Sequence, residues 1–267
     1  MRRIIVLFSF IIAITSQNAQ QKISYLLTNQ ADLNKVTVQI TFDVLPASDA
    51  NLVIPRSAPG TYILTNYMAF VDDVVGYTTT GKQLPGMIGD GSFFTFGESN
   101  DLLNKVSYTV DIQKMEIDLL DASMSSKARK DYLGLFGYSV FGFMEGMETE
   151  AINLMINTDP SWPIFSTLRP DTNRKSGTDS YDAETTVALE GIGETGLSSL
   201  QKLADYFGYI PMPHYTLVYE FLTPISERHD YGFNMEHLNS MTAHRDISRE
   251  YDPTNDLGTI IHHMGHS

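Results

Sequence analysis

The chain has 267 residues, 42% of them hydrophobic, enough for one large domain or two modest ones with true cores. Its formal charge of −14, from 18 Lys and Arg against 32 Asp and Glu, excludes the clustered basic surface that nucleic acid or an anionic membrane requires of a partner. With no cysteine there is no disulfide, no thiolate metal site, no cysteine nucleophile and no lipidated cysteine anchor.

Residues 1–20 read as a secretory signal. Arg2 and Arg3 give a positive start, residues 4–14 form an apolar run with a single serine, and cleavage is expected between Thr15 and Gln20. The run is too short to span a bilayer. The mature chain is therefore expected to be exported, to the periplasm or the extracellular space, and to be free of the membrane once the signal is removed.

From 22 to 160 the signals are those of strands. Residues 35–44 alternate, with Val36, Val38, Ile40, Phe42 and Val44 on one face and Thr37, Gln39, Thr41 and Asp43 on the other. Residues 105–112 repeat the pattern through Val106, Tyr108, Val110 and Ile112, and residues 152–156 through Ile152, Leu154 and Ile156. Shorter strands are expected at 24–27, 52–54, 67–77 and 92–96. Between them lie the turn signals Pro59-Gly60, Thr80-Gly81, Pro85-Gly86 and Gly89-Asp90-Gly91. Many short strands separated by turns predict an antiparallel β-sandwich over 22–160. The stretch 132–146 (YLGLFGYSVFGFMEG) fits either a strand pair whose glycines admit a neighbouring backbone or a long apolar loop packed on the sheet.

After Pro160 the pattern changes, and residues 161–267 read as a second, α+β part. Residues 169–182 are polar throughout, as in a loop or domain junction, and residues 185–189 read as one more strand. Leu197, Leu200, Leu203, Ala204 and Phe207 have helical spacing over 195–207, with Thr195 or Gly196 as the start and Gly208 as the stop. Residues 215–222 (YTLVYEFL) read as a buried strand. Asp252 as N-cap, Pro253 at the first helical position and Asp256 near the positive end of the dipole predict a last helix, with Leu257, Ile260, Ile261 and Met264 as its apolar stripe.

That helix ends in His262-His263-Met264-Gly265-His266. Side chains four apart on a helix share a face, with Cβ atoms about 6 Å apart, so His262 and His266 can reach one tetrahedral metal. A solvent-facing histidine cluster at a helix end is the alternative. The metallopeptidase motif H-E-x-x-H places a general base directly after the first histidine, and the residue there is His263. Upstream, in residues 231–240 (YGFNMEHLNS), Gly232 precedes an apolar-acidic pair. This suits a strand edge approached by a ligand, with Glu236 receiving an ammonium group; a solvated surface glutamate is the alternative.

Several separate stretches, in order, resemble the glycyl aminopeptidase family of gluzincin metallopeptidases. Pro55-Arg56-Ser57-Ala58-Pro59-Gly60-Thr61-Tyr62 is similar to the family's P-x-x-x-P-G-S-Y, Gly81 with Leu84 to its G-x-x-L turn, and Trp162-Pro163 with Thr167-Leu168 to its W-P-x-x-x-T-L. Gly232 to Ser240 resembles its G-G-x-E-H-x-x-S motif, and His262 with His266 its zinc helix. The resemblance implies an N-terminal β-sandwich, a thermolysin-like catalytic domain and a C-terminal PDZ domain. It also implies zinc as cofactor, with His262 and His266 as the first two ligands, and a peptide as substrate or ligand whose free amino terminus Glu236 recognises.

Two departures bear on activity. His263 stands where the family has its catalytic Glu, and loss of a general base removes about 10² to 10⁴ in rate. The family's third zinc ligand and its PDZ domain would lie beyond Ser267, so the chain is expected to be the N-terminal part of a longer protein, with its thermolysin-like domain incomplete. The expectation is an exported, aminopeptidase-like protein that is inactive as this chain. The alternative is a non-catalytic peptide- or protein-binding β-sandwich module.

Overall fold

The computed structural model describes residues 23–58, 63–97, 102–121, 124–166, 183–209, 215–232, 234–237, 240–248 and 253–264. The expected signal, Pro59-Gly60, the polar stretch 169–182, the N-cap Asp252 and His266 lie outside them.

Alternating sequence produces the first sheet. Strand β1 (Ile23–Gln30) pairs antiparallel with β2 (Lys35–Phe42), and β2 with β8 (Leu103–Asp111). Beyond β8 come β4 (Val71–Thr78) and β5 (Gln83–Pro85), joined by a tight turn in which Gly81 takes a φ of +85°. The sheet is antiparallel except at its far edge, where β12 (Ile152–Asn157) runs parallel to β1. The second sheet orders β11 (Phe143–Met144), β3 (Leu52–Val53), β7 (Phe93–Thr95) and β6 (Met87–Ile88).

Val36, Val38, Ile40, Val106 and Val110 of the first sheet share one core with Leu52, Ile54, Phe94 and Met144 of the second. The two layers therefore make the expected sandwich, each fully buried aliphatic side chain contributing about 1.5–3 kcal/mol. Val44 is exposed rather than in the core, because β2 ends at Phe42 and the chain bends away. Ile152 is likewise exposed, since β12 is an edge strand.

Residues 132–146 form neither a mutual strand pair nor a loop. β10 (Tyr132–Gly134) pairs with β9 (Lys127–Arg129), a single turn α2 (Gly137–Val140) follows, and β11 crosses to the second sheet. Helix α1 (Ile112–Asp118), capped by the Asp111 carboxylate accepting from the Lys114 N–H at 2.8 Å, packs beside β9.

In the second part, α3 spans Ala183–Phe207. The strand expected at 185–189 is helical, and the helix starts well before Thr195. Gly191 and Gly193 do not interrupt it, although each glycine costs roughly 1 kcal/mol in a helix. Gly208 stops it as expected, with a φ of +79° and its N–H on the Ala204 carbonyl. A three-stranded sheet follows in the order β13 (Thr216–Leu222), β15 (Ser240–Asp246), β14 (Asn234–His237), with β13 parallel and β14 antiparallel to β15. Helix α4 (Pro253–Met264) begins at the predicted proline. Met241 and Ala243 of β15 share a second core with Leu203 of α3 and with Ile260 and Met264 of α4. No helix among the described residues is long and apolar enough to cross a membrane.

Candidate functional site

Side chains alternate along a strand, so β15 presents Met241 and Ala243 to the helices and Ser240, Thr242 and His244 to the opposite side. All five are buried. The central strand of the small sheet is therefore covered twice, by α3 and α4 behind and by the sandwich in front.

Of the residues singled out from sequence, Glu236 is on β14 and His262 and His263 are on α4. Strand β14 is an edge, and Glu236 is in register with Met241, which packs against Ile260 and Met264 of α4. Helix α4 carries His262, exposed, and His263, half-buried, with their rings 5.3 Å apart and nearly perpendicular. The fold thus brings the strand of Glu236 and the helix of His262 to the same sheet. The partner expected for His262 in a metal site, His266, lies outside the described residues. Among the described residues no three His, Asp or Glu side chains gather as a metal cage. Zinc takes at least three protein ligands, and the described donors fall short of that.

On the sandwich side is a cluster that sequence reasoning missed. Glu220 of β13 pairs in register with His244, and Glu220 Oε2 lies 2.8 Å from His244 Nδ1 and 4.0 Å from the Nζ of Lys127 on β9. Lys127 is wholly buried, donates to the Ser125 carbonyl at 2.8 Å, and lies near the rings of Phe136 and Tyr231. Burial pushes its ammonium down to about 8, against the pull of Glu220 and Glu116. Burial pushes the Glu220 carboxyl up, but the adjoining His244 imidazole, the charge of Lys127 and a hydrogen bond from Tyr132 outweigh it, leaving the group at about 2. Glu220 and Lys127 are thus ionised at neutral pH, while burial holds the His244 imidazole below its ordinary value and so neutral there.

Around it, Arg129 clamps Glu116 of α1 with contacts of 2.5 and 2.8 Å and donates to the Tyr231 hydroxyl at 3.1 Å, while Tyr231 itself donates to Glu116. The His229 ring reaches the Glu116 carbonyl at 2.8 Å, and the Asp230 N–H donates to the Leu120 carbonyl. Polar and ionic bonds, rather than an apolar patch, seat the small sheet on the sandwich. The available sequence signals were faint: Glu220 is the single charge inside YTLVYEFL, and His244 sits in SMTAHRD next to the ordinary charges Arg245 and Asp246.

Residues 25–189 match the family described as Peptidase M61 N-terminal domain. Comparison with curated proteins gives no match. Among solved structures, the fold is similar to that of an aminopeptidase N family protein from Idiomarina loihiensis, with a TM-score of 0.66 and 16% identity. The alignment covers 92% of this chain and 47% of that one, so the chain spans about half that protein's length, and at this identity the likeness is one of fold.

Proposed function

The chain belongs to the Peptidase M61 N-terminal domain family, and on that premise we propose that it is the N-terminal portion of an exported, aminopeptidase-like protein that engages peptides along β14 and turns them over slowly or not at all. The observation that carries this reading is the register of β14. It sets residue 236 opposite Met241 of β15, the strand against which α4 packs. The outer backbone edge of β14, unpaired among the described residues, can pair with an extended peptide, as an added strand does, and Glu236 receives the peptide's terminal ammonium in a charge-assisted bond.

Slow turnover follows from His263, which occupies the position after the first histidine of H-x-x-x-H. An imidazole there is neutral or cationic, not an anionic base. The family that the sequence resembles supplies zinc as a Lewis acid and water activator, and His262 and His266 hold its first two ligand positions here. Two imidazoles alone do not hold such a metal firmly. The division into a signal at 1–20, a sandwich at 22–160 and a thermolysin-like part at 161–267 belongs to the same proposal.

Fluorescence anisotropy with a labelled peptide bearing a free amino terminus, and with its N-acetylated counterpart, tests the reading. Acetylation and Glu236→Gln should each weaken binding by about 10- to 100-fold, the range for a lost charged hydrogen bond. Equal binding of both peptides sinks the recognition role. Chelator-sensitive cleavage by the pure protein at the roughly 1–10³ per second of an ordinary enzyme sinks the claim of slow turnover.

A further inference from the structure

The sandwich-side cluster is independent of the peptide edge. Its geometry treats the two protonation states of His244 very differently. The ring is 1% exposed and stands edge-on to Phe136 at 5.4 Å. Nδ1 is close to Glu220 Oε2, though poorly aligned for a hydrogen bond, and Nε2 is buried with no hydrogen-bond partner among the described residues. A neutral ring carrying its proton on Nδ1 suits this setting. A second proton on Nε2 would be a buried N–H without an acceptor, on a cation sharing Glu220 with the Lys127 ammonium.

We propose that the junction between the sandwich and the three-stranded sheet is an acid-released latch, in which neutral His244 lets β13–β15 seat on β9, β10 and α2, and protonation of His244 unseats them. The charged groups that face it are Glu220 from β13, Lys127 from β9 and Asp121 from the segment bridged to Asp230. Arg129 and Glu116 form the surrounding pair. Burial and the Lys127 charge depress the imidazole's proton affinity, while Glu220 and Asp121 oppose them without prevailing. His244 therefore sits below 6.5 when seated and recovers its ordinary value when released, so the released state binds the extra proton. Seating is favoured above 6.5 and weakens as pH falls below it.

Hydrogen exchange of the whole chain tests this, read on β13 and β15 amides against β1, β2 and β8 as an internal reference and corrected for intrinsic rates. One histidine regaining its ordinary value speeds exchange of the small sheet about tenfold between pH 7.5 and 5.5, with the reference strands unchanged. His244→Gln should flatten that dependence, while His229→Gln, which alters the other imidazole at the junction, should keep it. A flat profile in the wild-type protein overturns the proposal, as does a response lost in His229→Gln but kept in His244→Gln. Should His244→Gln fail to fold, NMR titration of the wild-type ring decides: His244 titrating near 6.5 while the sheet stays protected overturns the latch, and titration only as protection is lost supports it.

Discussion

Replacing Glu220 by glutamine keeps the side chain's shape and removes the only carboxylate within 4.0 Å of both Lys127 and His244 among the described contacts. The carboxyl falls from its ordinary 4.5 to about 2 on folding, so the folded state holds fewer protons between those values. The stability it confers is present in full above 4.5 and is lost as pH drops through about 2. A fall of that size corresponds to about 3 kcal/mol at neutral pH. This agrees with the 3–5 kcal/mol, roughly, that follows when one partner of a buried pair is removed and the other charge is stranded. The expected loss for Glu220→Gln is therefore about 3 kcal/mol by urea denaturation at pH 7, followed by far-UV circular dichroism. The double variant Lys127→Met/Glu220→Leu should recover most of it, because an apolar pair of similar volume carries no desolvation cost. A Glu220→Gln loss under about 1 kcal/mol, or a double variant less stable than the single, would refute the ionised-pair account.

Four further outcomes are expected. Lys127, held at about 8 against an ordinary 10.5, makes the unfolded chain the better proton binder between those values, so stability should rise by about 2 kcal/mol from pH 8 to 10 and should not in Lys127→Met. Tyr25 and Tyr67, both raised to about 12 chiefly by burial, act in the opposite sense, their stabilisation being present below 10 and lost toward 12, so a pH scan of urea midpoints should peak near 10. At Gly142 a Cβ would stand 2.8 Å from Ile54 Cδ1 and 2.9 Å from the Val53 carbonyl oxygen, which is backbone and cannot swing aside, so Gly142→Ala should cost about 1–3 kcal/mol in a thermal melt. Tyr108→Phe should cost a similar amount, about 1–3 kcal/mol, because the buried Tyr108 hydroxyl accepts from the Gly142 N–H at 2.7 Å and the variant leaves that donor unpaired.

The sandwich was legible because its strands carry a period-two pattern that only a half-buried sheet accommodates, and Val36, Val38, Ile40 and Phe42 all proved buried. The last helix was legible from Pro253 and the Ile260–Met264 spacing. Residues 185–189 were misread as a strand because five residues hold too little periodicity to separate strand from helix. Residues 132–146 defeated both readings since their partners are distant: β11 pairs with β3, some ninety residues earlier. The peptide edge showed in sequence as a local motif around Glu236. The ionic junction did not, because Lys127, Glu220 and His244 lie on three strands, each looking like an isolated polar residue until the register of β13 with β15 sets two of them side by side.

The parallel pairing of β12 with β1 has a consequence for how the protein is made. Ile23 to Thr28 meet Ile152 to Asn157, so the first strand to leave the ribosome waits for nearly the whole sandwich to be synthesised before its outer edge is covered. Closing so large a loop comes late in folding. A nascent chain stalled before residue 152 would display an unpaired backbone edge along β1, open to pairing with a neighbouring chain. That interval is one in which a holding chaperone has a defined target, and arrival of β12 marks the point at which the target disappears.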